Sequence, residues 1–313
     1  MYYHKNKINS AILGLGNIGL MYDLNKPDYI MTHAKALHKI KEYNLICGID
    51  PLKKSRNLFK KKFKLPTYKN LKELTINKKN IDLIVISTPT FLHYKNFLYI
   101  IKNFNPKIIV CEKPLSYKVS EIYKIITICE KKKIFLITNF VRRSDPTYID
   151  LKKKFNRMKD ITGTFYYDKE FNHSCSHYLN LCNFWFGKIK SFKILKVHKK
   201  NEYDANIDIV IKFEKAKINF INTKKKTRDE FFINFDNNII EKNKDEPPKL
   251  NDRKLSFTLK KYQKNFYLKL YNDYHLKKKK TNFDEIKYQA KTIDKIIKKA
   301  QNKLPKVKKT NGQ

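Results

Sequence analysis

Glycine, arginine, cysteine and acidic residues are all scarce in this chain of 313 residues, and each scarcity excludes something. Seven glycines and ten prolines are too few for a collagen-like or low-complexity chain. Five cysteines (Cys47, Cys111, Cys129, Cys175, Cys182) are odd in number, scattered and never spaced as Cys-x-x-Cys, so the sequence reads as reduced thiols rather than a disulfide framework. No apolar run approaches the roughly 20 residues that span a bilayer. The first residues, Met1 to Lys5, lead into a glycine-patterned strand and not into a cleavable signal, so the expected compartment is the cytoplasm. What is abundant is apolar and basic: 41% hydrophobic residues, 13% aromatic, and a formal charge of +40. That apolar fraction excludes a wholly disordered chain, which would bury too little surface to offset its entropy.

The charge points less strongly to nucleic acid than its size suggests. Of 69 basic residues only six are arginine, whereas phosphate and base-edge recognition favours the planar guanidinium. The sequence therefore predicts weak, salt-sensitive adhesion to anionic surfaces and no specific nucleic-acid partner.

Along the first 140 residues, short β-rich runs alternate with helical patterns. Strands are expected at Ile8–Leu15, Leu45–Asp50, Ile81–Thr88, Lys107–Cys111 and Ile134–Phe140, with helices opening at Asn17–Tyr22 and covering Thr32–Tyr43 and Ser120–Lys132. Nearly continuous apolar strands between helices imply a parallel, doubly wound sheet. After Pro146 the rhythm changes. Helices at Tyr148–Arg157 and Ser176–Phe186 are followed by alternating strands at Ile189–His198, Ile207–Glu214, Ile218–Asn222, Phe231–Asp236 and Leu255–Leu259. A loop is read at Asn243–Asp252, closing helices at Tyr262–His275 and Phe283–Ala300, and a frayed end at Asn311–Gln313. The expected fold is α/β: a Rossmann domain over 1–118, completed by 119–141, then an α+β domain over 142–313 with a large, open, mainly antiparallel sheet.

Three of the seven glycines fall in one pattern, Gly14-Leu15-Gly16-Asn17-Ile18-Gly19, after a strand and before a helix. In that context the first glycine makes a tight turn, the second admits a pyrophosphate to the backbone, and the third lets helix and strand pack. Asp50, closing the second strand, is placed to accept ribose hydroxyls and so favours NAD over NADP, a preference that Lys53, Lys54 and Arg56 soften. Its spacing from the glycines is long because Tyr22–Met31 reads as an insertion.

Further segments carry a resemblance. Ser87-Thr88-Pro89 with His93 ends the fourth strand, Cys111-Glu112-Lys113-Pro114-Leu115 ends the fifth, and Ser176-His177-Tyr178-Leu179-Asn180-Leu181 precedes Trp185-Phe186-Gly187. With the glycine loop and Thr32-His33-Ala34-Lys35-Ala36-Leu37, these resemble the glucose–fructose oxidoreductase/inositol dehydrogenase (Gfo/Idh/MocA) family. The insertion and Asn139-Phe140-Val141-Arg142-Arg143-Ser144-Asp145-Pro146 look most like members from surface-polysaccharide synthesis.

The resemblance implies a nicotinamide-dependent oxidoreductase acting on a hydroxyl or ketone of a sugar or nucleotide-sugar. It places Gly14, Gly16, Asn17, Ile18, Gly19, Asp50, Thr88, Pro89, His93, Glu112 and Lys113 at NAD, with NADP possible. Lys113 and His177 are its catalytic pair, the imidazole moving the hydroxyl proton, which a group titrating near neutrality does well. Glu112 holds the turn and the Lys113–Pro114 peptide is expected to be cis. Arg142, His173 and Asn180 are candidate substrate contacts. His173 and Asn180 stand where many members carry aspartates, so a cofactor-binding sensor or scaffold without turnover is the alternative. A homodimer or homotetramer is expected through the open sheet. Trp185, eight residues past His177, is expected near the cleft. His173, Cys175, His177 and Cys182 invite a zinc reading, but they cannot share one helical face and no distant pair completes a tetrahedron, so no metal is expected.

Overall fold

The computed structural model describes residues 7–76, 80–223, 230–243, 246–256 and 259–303. In chain order these form β1 (Ile8–Leu13), α1 (His33–Lys39), β2 (Tyr43–Ile49), α2 (Lys53–Phe63), β3 (Thr67–Tyr68), α3 (Leu71–Ile76), β4 (Leu83–Ile86), α4 (His93–Asn103), β5 (Ile108–Cys111), α5 (Val119–Lys132) and β6 (Phe135–Thr138). Then come α6 (Pro146–Phe155), β7 (Ile161–Tyr167), α7 (Ser176–Phe186), β8 (Ile189–Lys200), β9 (Ala205–Phe213), β10 (Ala216–Asn222), β11 (Glu230–Phe235), β12 (Asn238–Lys242), β13 (Lys249–Leu250), β14 (Arg253–Lys254), α8 (Tyr262–Tyr271) and α9 (Phe283–Gln301).

The chain divides into two compact units, one of residues 1–146 with 258–287, the other of 147–257 with 288–313. In the first unit, six strands pair in the order β3-β2-β1-β4-β5-β6, all parallel. β4 and β5 are buried along their whole length, as strands covered on both faces must be, which is why they read as unbroken apolar runs. Strand order reverses between β1 and β4, and in such sheets ligands bind outside the carboxyl ends at that switch point.

Segment 258–287, expected to lie in the second domain, packs with the first unit instead. Phe266, Tyr267 and Leu270 of α8 join the cluster containing Ile12, Leu20 and Leu37. Tyr43 donates its hydroxyl to the Tyr267 carbonyl at 2.8 Å, and the two rings meet edge-on at 5.3 Å. Removing three large apolar side chains from water is the reason the chain returns here.

The second unit carries an eight-stranded sheet in the order β14-β13-β12-β11-β7-β10-β9-β8. Only β7 and β10 run parallel; the other pairings are antiparallel. Ile207, Ile209 and Ile211 of β9 are buried while Asn206, Asp208 and Val210 between them are not, the alternation of a sheet with one covered face. Aromatic side chains of α6, α7 and the inner strand faces fill the core: Trp185 packs edge-on against Tyr148 and Phe155, each at 5.3 Å between centroids.

Several expected boundaries shift. The helix expected at Asn17–Tyr22 is one π-type turn, Asn17–Met21, separated from α1 by an irregular segment. Of the strand expected at Leu255–Leu259, positions 257 and 258 lie outside the described residues; 255 and 256 are not in a strand, pairing falls on Arg253–Lys254, and a short 3-10 turn begins at Leu259. The loop read at Asn243–Asp252 contains β13. The frayed end read at Asn311–Gln313 lies outside the described residues. Among the described residues no helix is long and apolar enough to cross a membrane.

Candidate active site

Three glycines shape the turn after β1 in three different ways. Gly14 sits at φ +100°, and a Cβ there would lie 2.6 Å from the Ser87 carbonyl. A Cβ on Gly19 would lie 2.1 Å from the Gly14 oxygen. Around Gly16 a Cβ would meet nothing within 4 Å. The first and third glycines are therefore demanded by the protein's own packing, whereas the space beside Gly16 is open. Leu20 and Met21 both donate to the Gly16 carbonyl, so the N–H groups of Asn17, Ile18 and Gly19 precede the turn's own bonds and need acceptors from outside it. Ser87 donates its hydroxyl to the Gly14 oxygen at 2.8 Å, tying the β4 end to this turn at the switch point.

Asp50, buried at the end of β2, accepts from Leu15 N through Oδ2 and from Leu52 N through Oδ1, both at 2.8 Å. It thus fastens the glycine turn to the next crossover, and each oxygen keeps one further lone pair for a ribose hydroxyl. Arg56 donates Nη1 to the carbonyls of Asp50 and Pro51, both at 2.8 Å. The insertion is built and not loose: Asp23 accepts from Met31 N, Thr32 N and Thr32 Oγ1, and so caps the start of α1.

The turn after β5 rests on a buried polar chain. Glu112 Oε1 lies 3.0 Å from His33 Nε2 and accepts from Asn139 Nδ2 at 2.5 Å, while His33 Nδ1 lies 2.7 Å from the Tyr267 hydroxyl. Burial disfavours the Glu112 carboxylate, but His33, Asn139 and the Lys113 charge together hold its pKa below the usual value. Lys113, half-exposed, follows in a cis peptide with Pro114, as the resemblance implies. Burial, then the Glu112 charge, raise the Tyr262 phenol, and Arg142 opposes that rise, so Tyr262 and Arg142 belong to the same polar neighbourhood.

His93 differs from its expected part. It is buried, with Nε2 2.8 Å from the Thr88 carbonyl and Nδ1 3.0 Å from the Pro114 carbonyl. It therefore straps the turn after β4 to the turn after β5 rather than presenting its ring outward. Thr88, half-buried, also accepts from Asn96 Nδ2 at 3.0 Å, while Pro89 is exposed.

In the second unit a π-type turn, Phe171–Cys175, runs directly into α7. His173 on that turn is exposed, and His177 in the first turn of α7 is half-buried. Asn180 departs from its expected role: it is buried and donates Nδ2 to Gln289 Oε1 of α9 at 2.6 Å. Trp185 also departs. It is 1% exposed, donates Nε1 to the Tyr148 carbonyl at 2.9 Å, and belongs to the core. Cys175 and Cys182 are core residues whose thiol pKa values burial pushes up, and among the described residues no group of His, Cys, Asp or Glu is arranged to hold a metal.

His33, Asn139 and Tyr267 carry no motif signal of their own for the Glu112 chain, since the three are brought together from distant parts of the sequence. The open space beside Gly16, the first N–H groups of the turn and the Asp50 carboxylate are what a dinucleotide's phosphates and ribose require at this switch point, so the residues present fit that group.

A six-stranded parallel sheet with that turn, followed by an open sheet covered by helices, defines a protein of two units whose first is a Rossmann-type dinucleotide-binding fold. Residues 8–140 match the oxidoreductase family with an NAD-binding Rossmann fold known as Gfo/Idh/MocA. That match covers less than half of the chain and lies within its first unit. It is 26% identical over 153 residues to scyllo-inositol 2-dehydrogenase (NAD(+)) of Bacillus subtilis, a stretch covering 49% of this chain and 41% of that protein. The chain thus aligns with less than half the length of this relative. Among solved structures, an oxidoreductase from Agrobacterium radiobacter in complex with NAD+, L-tartaric acid and magnesium superposes with a TM-score of 0.75 at 13% identity, over 95% of this chain and 97% of that one. The WlbA dehydrogenase of Bordetella pertussis, in complex with NADH and UDP-GlcNAcA, gives 0.72 at 14% identity, over 96% and 98%. At such identities the likeness establishes the shared fold.

Proposed function

We propose that this protein is an NAD-dependent dehydrogenase that interconverts a hydroxyl and a ketone on a sugar or nucleotide-sugar. One observation carries the reading: the Glu112-Lys113-Pro114 turn is held from beneath by buried His33 and Asn139 and strapped by His93 to the turn that follows β4. Such support fixes a lysine where its position matters. Bound NAD supplies the hydride acceptor. Lys113 donates to the reacting oxygen and favours its alkoxide character, and His177 Nε2 or Nδ1 takes the hydroxyl proton, returning it in the reverse direction. Asp50 accepts from the adenosine ribose and disfavours a 2′-phosphate.

A nucleotide-sugar substrate is supported by the UDP-GlcNAcA complex of the Bordetella pertussis structure, and a role in surface-polysaccharide synthesis by the resemblance at the insertion and at Asn139 to Pro146. Tyr166, Val210, Ile221 and Phe232, half-buried on the outer sheet face, support a homodimer or homotetramer closed over that face, to be checked by light scattering. Five buried cysteines outside any disulfide agree with a reducing, cytoplasmic location.

The test is calorimetric titration with NADH and NADPH, then NAD+ reduction with scyllo-inositol and UDP-GlcNAcA. Lys113→Ala and His177→Ala should each lower kcat by at least about a hundredfold while NADH affinity stays within a few-fold. Unchanged turnover in both variants removes the mechanism. NADH binding without turnover on any sugar would favour the sensor or scaffold.

A further inference from the structure

Asp204 is a buried carboxylate to which the reaction above gives no part. It sits at the end of the turn between β8 and β9, where Asn201 Oδ1 accepts from both Tyr203 N and Asp204 N, at 2.9 and 2.7 Å, and so fixes the backbone that bears it. Its Oδ1 accepts from Asn172 N and Ala205 N, both at 2.8 Å, and its Oδ2 accepts from His173 N at 2.9 Å. Asn172 and His173 belong to the π-type turn Phe171–Cys175, which continues into α7 without a break. The first N–H groups of such a run have no partners within it, and a carboxylate there satisfies them and complements the positive end of the helix. No side chain of the run itself caps it: neither Glu170 nor Cys175 makes a capping bond.

We propose that Asp204 is a positioning residue for His177, its carboxylate gripping the backbone of Asn172 and His173 and so fixing the start of the helical run that aims the His177 imidazole. The inference rests on reading His177 as the proton acceptor; the grip on the turn does not. His177 lies four residues beyond His173, one helical turn from the clamped backbone. A shift at the clamp therefore reaches the imidazole through a single turn of helix.

The clamp depends on charge. A protonated Oδ2 becomes a donor facing the donor His173 N–H, and that bond is lost. Burial pushes the Asp204 carboxyl up to about 6, the three N–H groups act against that rise, and Glu170 adds to it. Cys175 and Tyr167, whose charges also interact with it, are both buried and neutral in this range. Because burial raises this carboxyl, protonation as pH falls through about 6 relieves the cost of burying its charge, and the grip of the carboxylate is read at neutral pH, where it is ionised.

The test compares the protein with Asp204→Asn, which keeps the size and one acceptor, by hydrogen exchange at about pH 7.5. In Asp204→Asn, protection over 171–177 should fall by about tenfold relative to wild type, with β9 and β10 unchanged. On carbon-labelled histidine, the titration midpoint of the His177 ring should move by at least about 0.3 pH unit in the variant. Equal protection in variant and wild type overturns the proposal. So does a His177 midpoint that does not move, even if the turn loosens. None of these readouts needs turnover, so failure of the dehydrogenase reading, seen as undiminished turnover in His177→Ala, is scored separately.

Discussion

Gly16 and Gly19 stand three residues apart and should answer mutation in opposite ways. Gly16→Val enters open space, so thermal stability should hold while NADH affinity, followed by calorimetry, falls by at least about a hundredfold. Gly19→Ala drives a Cβ against the Gly14 oxygen and should cost about 2–3 kcal/mol in denaturant unfolding. His93 makes a pH-dependent contribution. Burial lowers its pKa in the folded state against the bonds to Thr88 and Pro114 that raise it. A base depressed on folding gives stability that is present above its unfolded value, near 6.5, and is lost as pH falls. His93→Gln should therefore flatten the acid limb of stability against pH. Glycine spacing made the tight turn after β1 legible because a motif of that kind is local. The Glu112 chain was not legible, because its partners His33, Asn139 and Tyr267 come from separate elements and no spacing links them.

Among elements, α1 depends on its cap. Thr32 Oγ1 accepts from Lys35 N at 3.3 Å and donates to Asp23 at 2.7 Å, so Thr32→Ala loses both bonds. We expect a loss of about 1–2 kcal/mol in chemical denaturation. α7 was read from sequence with the ends it has in the structure, Ser176 to Phe186, because Gly187 stops it at φ +85° and its apolar side chains recur at helical spacing. α2 escaped notice for the opposite reason. Its lysines outnumber its apolar residues, and only Phe59 and Phe63 with Ser55 are buried, a stripe too narrow to stand out. The strand expected from Leu255 begins earlier among the described residues, at Arg253, because alternation cannot say where a neighbour's edge lies; the described pairing to β13 ends at Lys254.

For the molecule as a whole, charge is the dominant global variable. A formal +40 repels itself in the compact state, so the melting temperature should rise by a few degrees as salt goes from about 50 to about 300 mM, measured by calorimetry. Over the same range any adhesion to DNA should vanish while NADH binding largely persists. Fold class was legible at this scale, since strand–helix alternation giving way to strand alternation is a property of long stretches. The return of 258–287 to the first unit was not, since a helix pattern shows which face is apolar and not what covers it.

That return has a bearing on how the protein comes into being. A ribosome releases the six strands of the parallel sheet early, yet the aromatic side chains of α8 that seal one flank of it, and the hydroxyl that meets His33, emerge only when most of the chain has been made. Until then Leu20, Leu37 and Tyr43 wait uncovered, so the nascent first unit is the stage of synthesis most in need of chaperones. A gene fragment stopped at Pro146 should for the same reason yield insoluble product, and adding back 258–287 on a short linker should restore it.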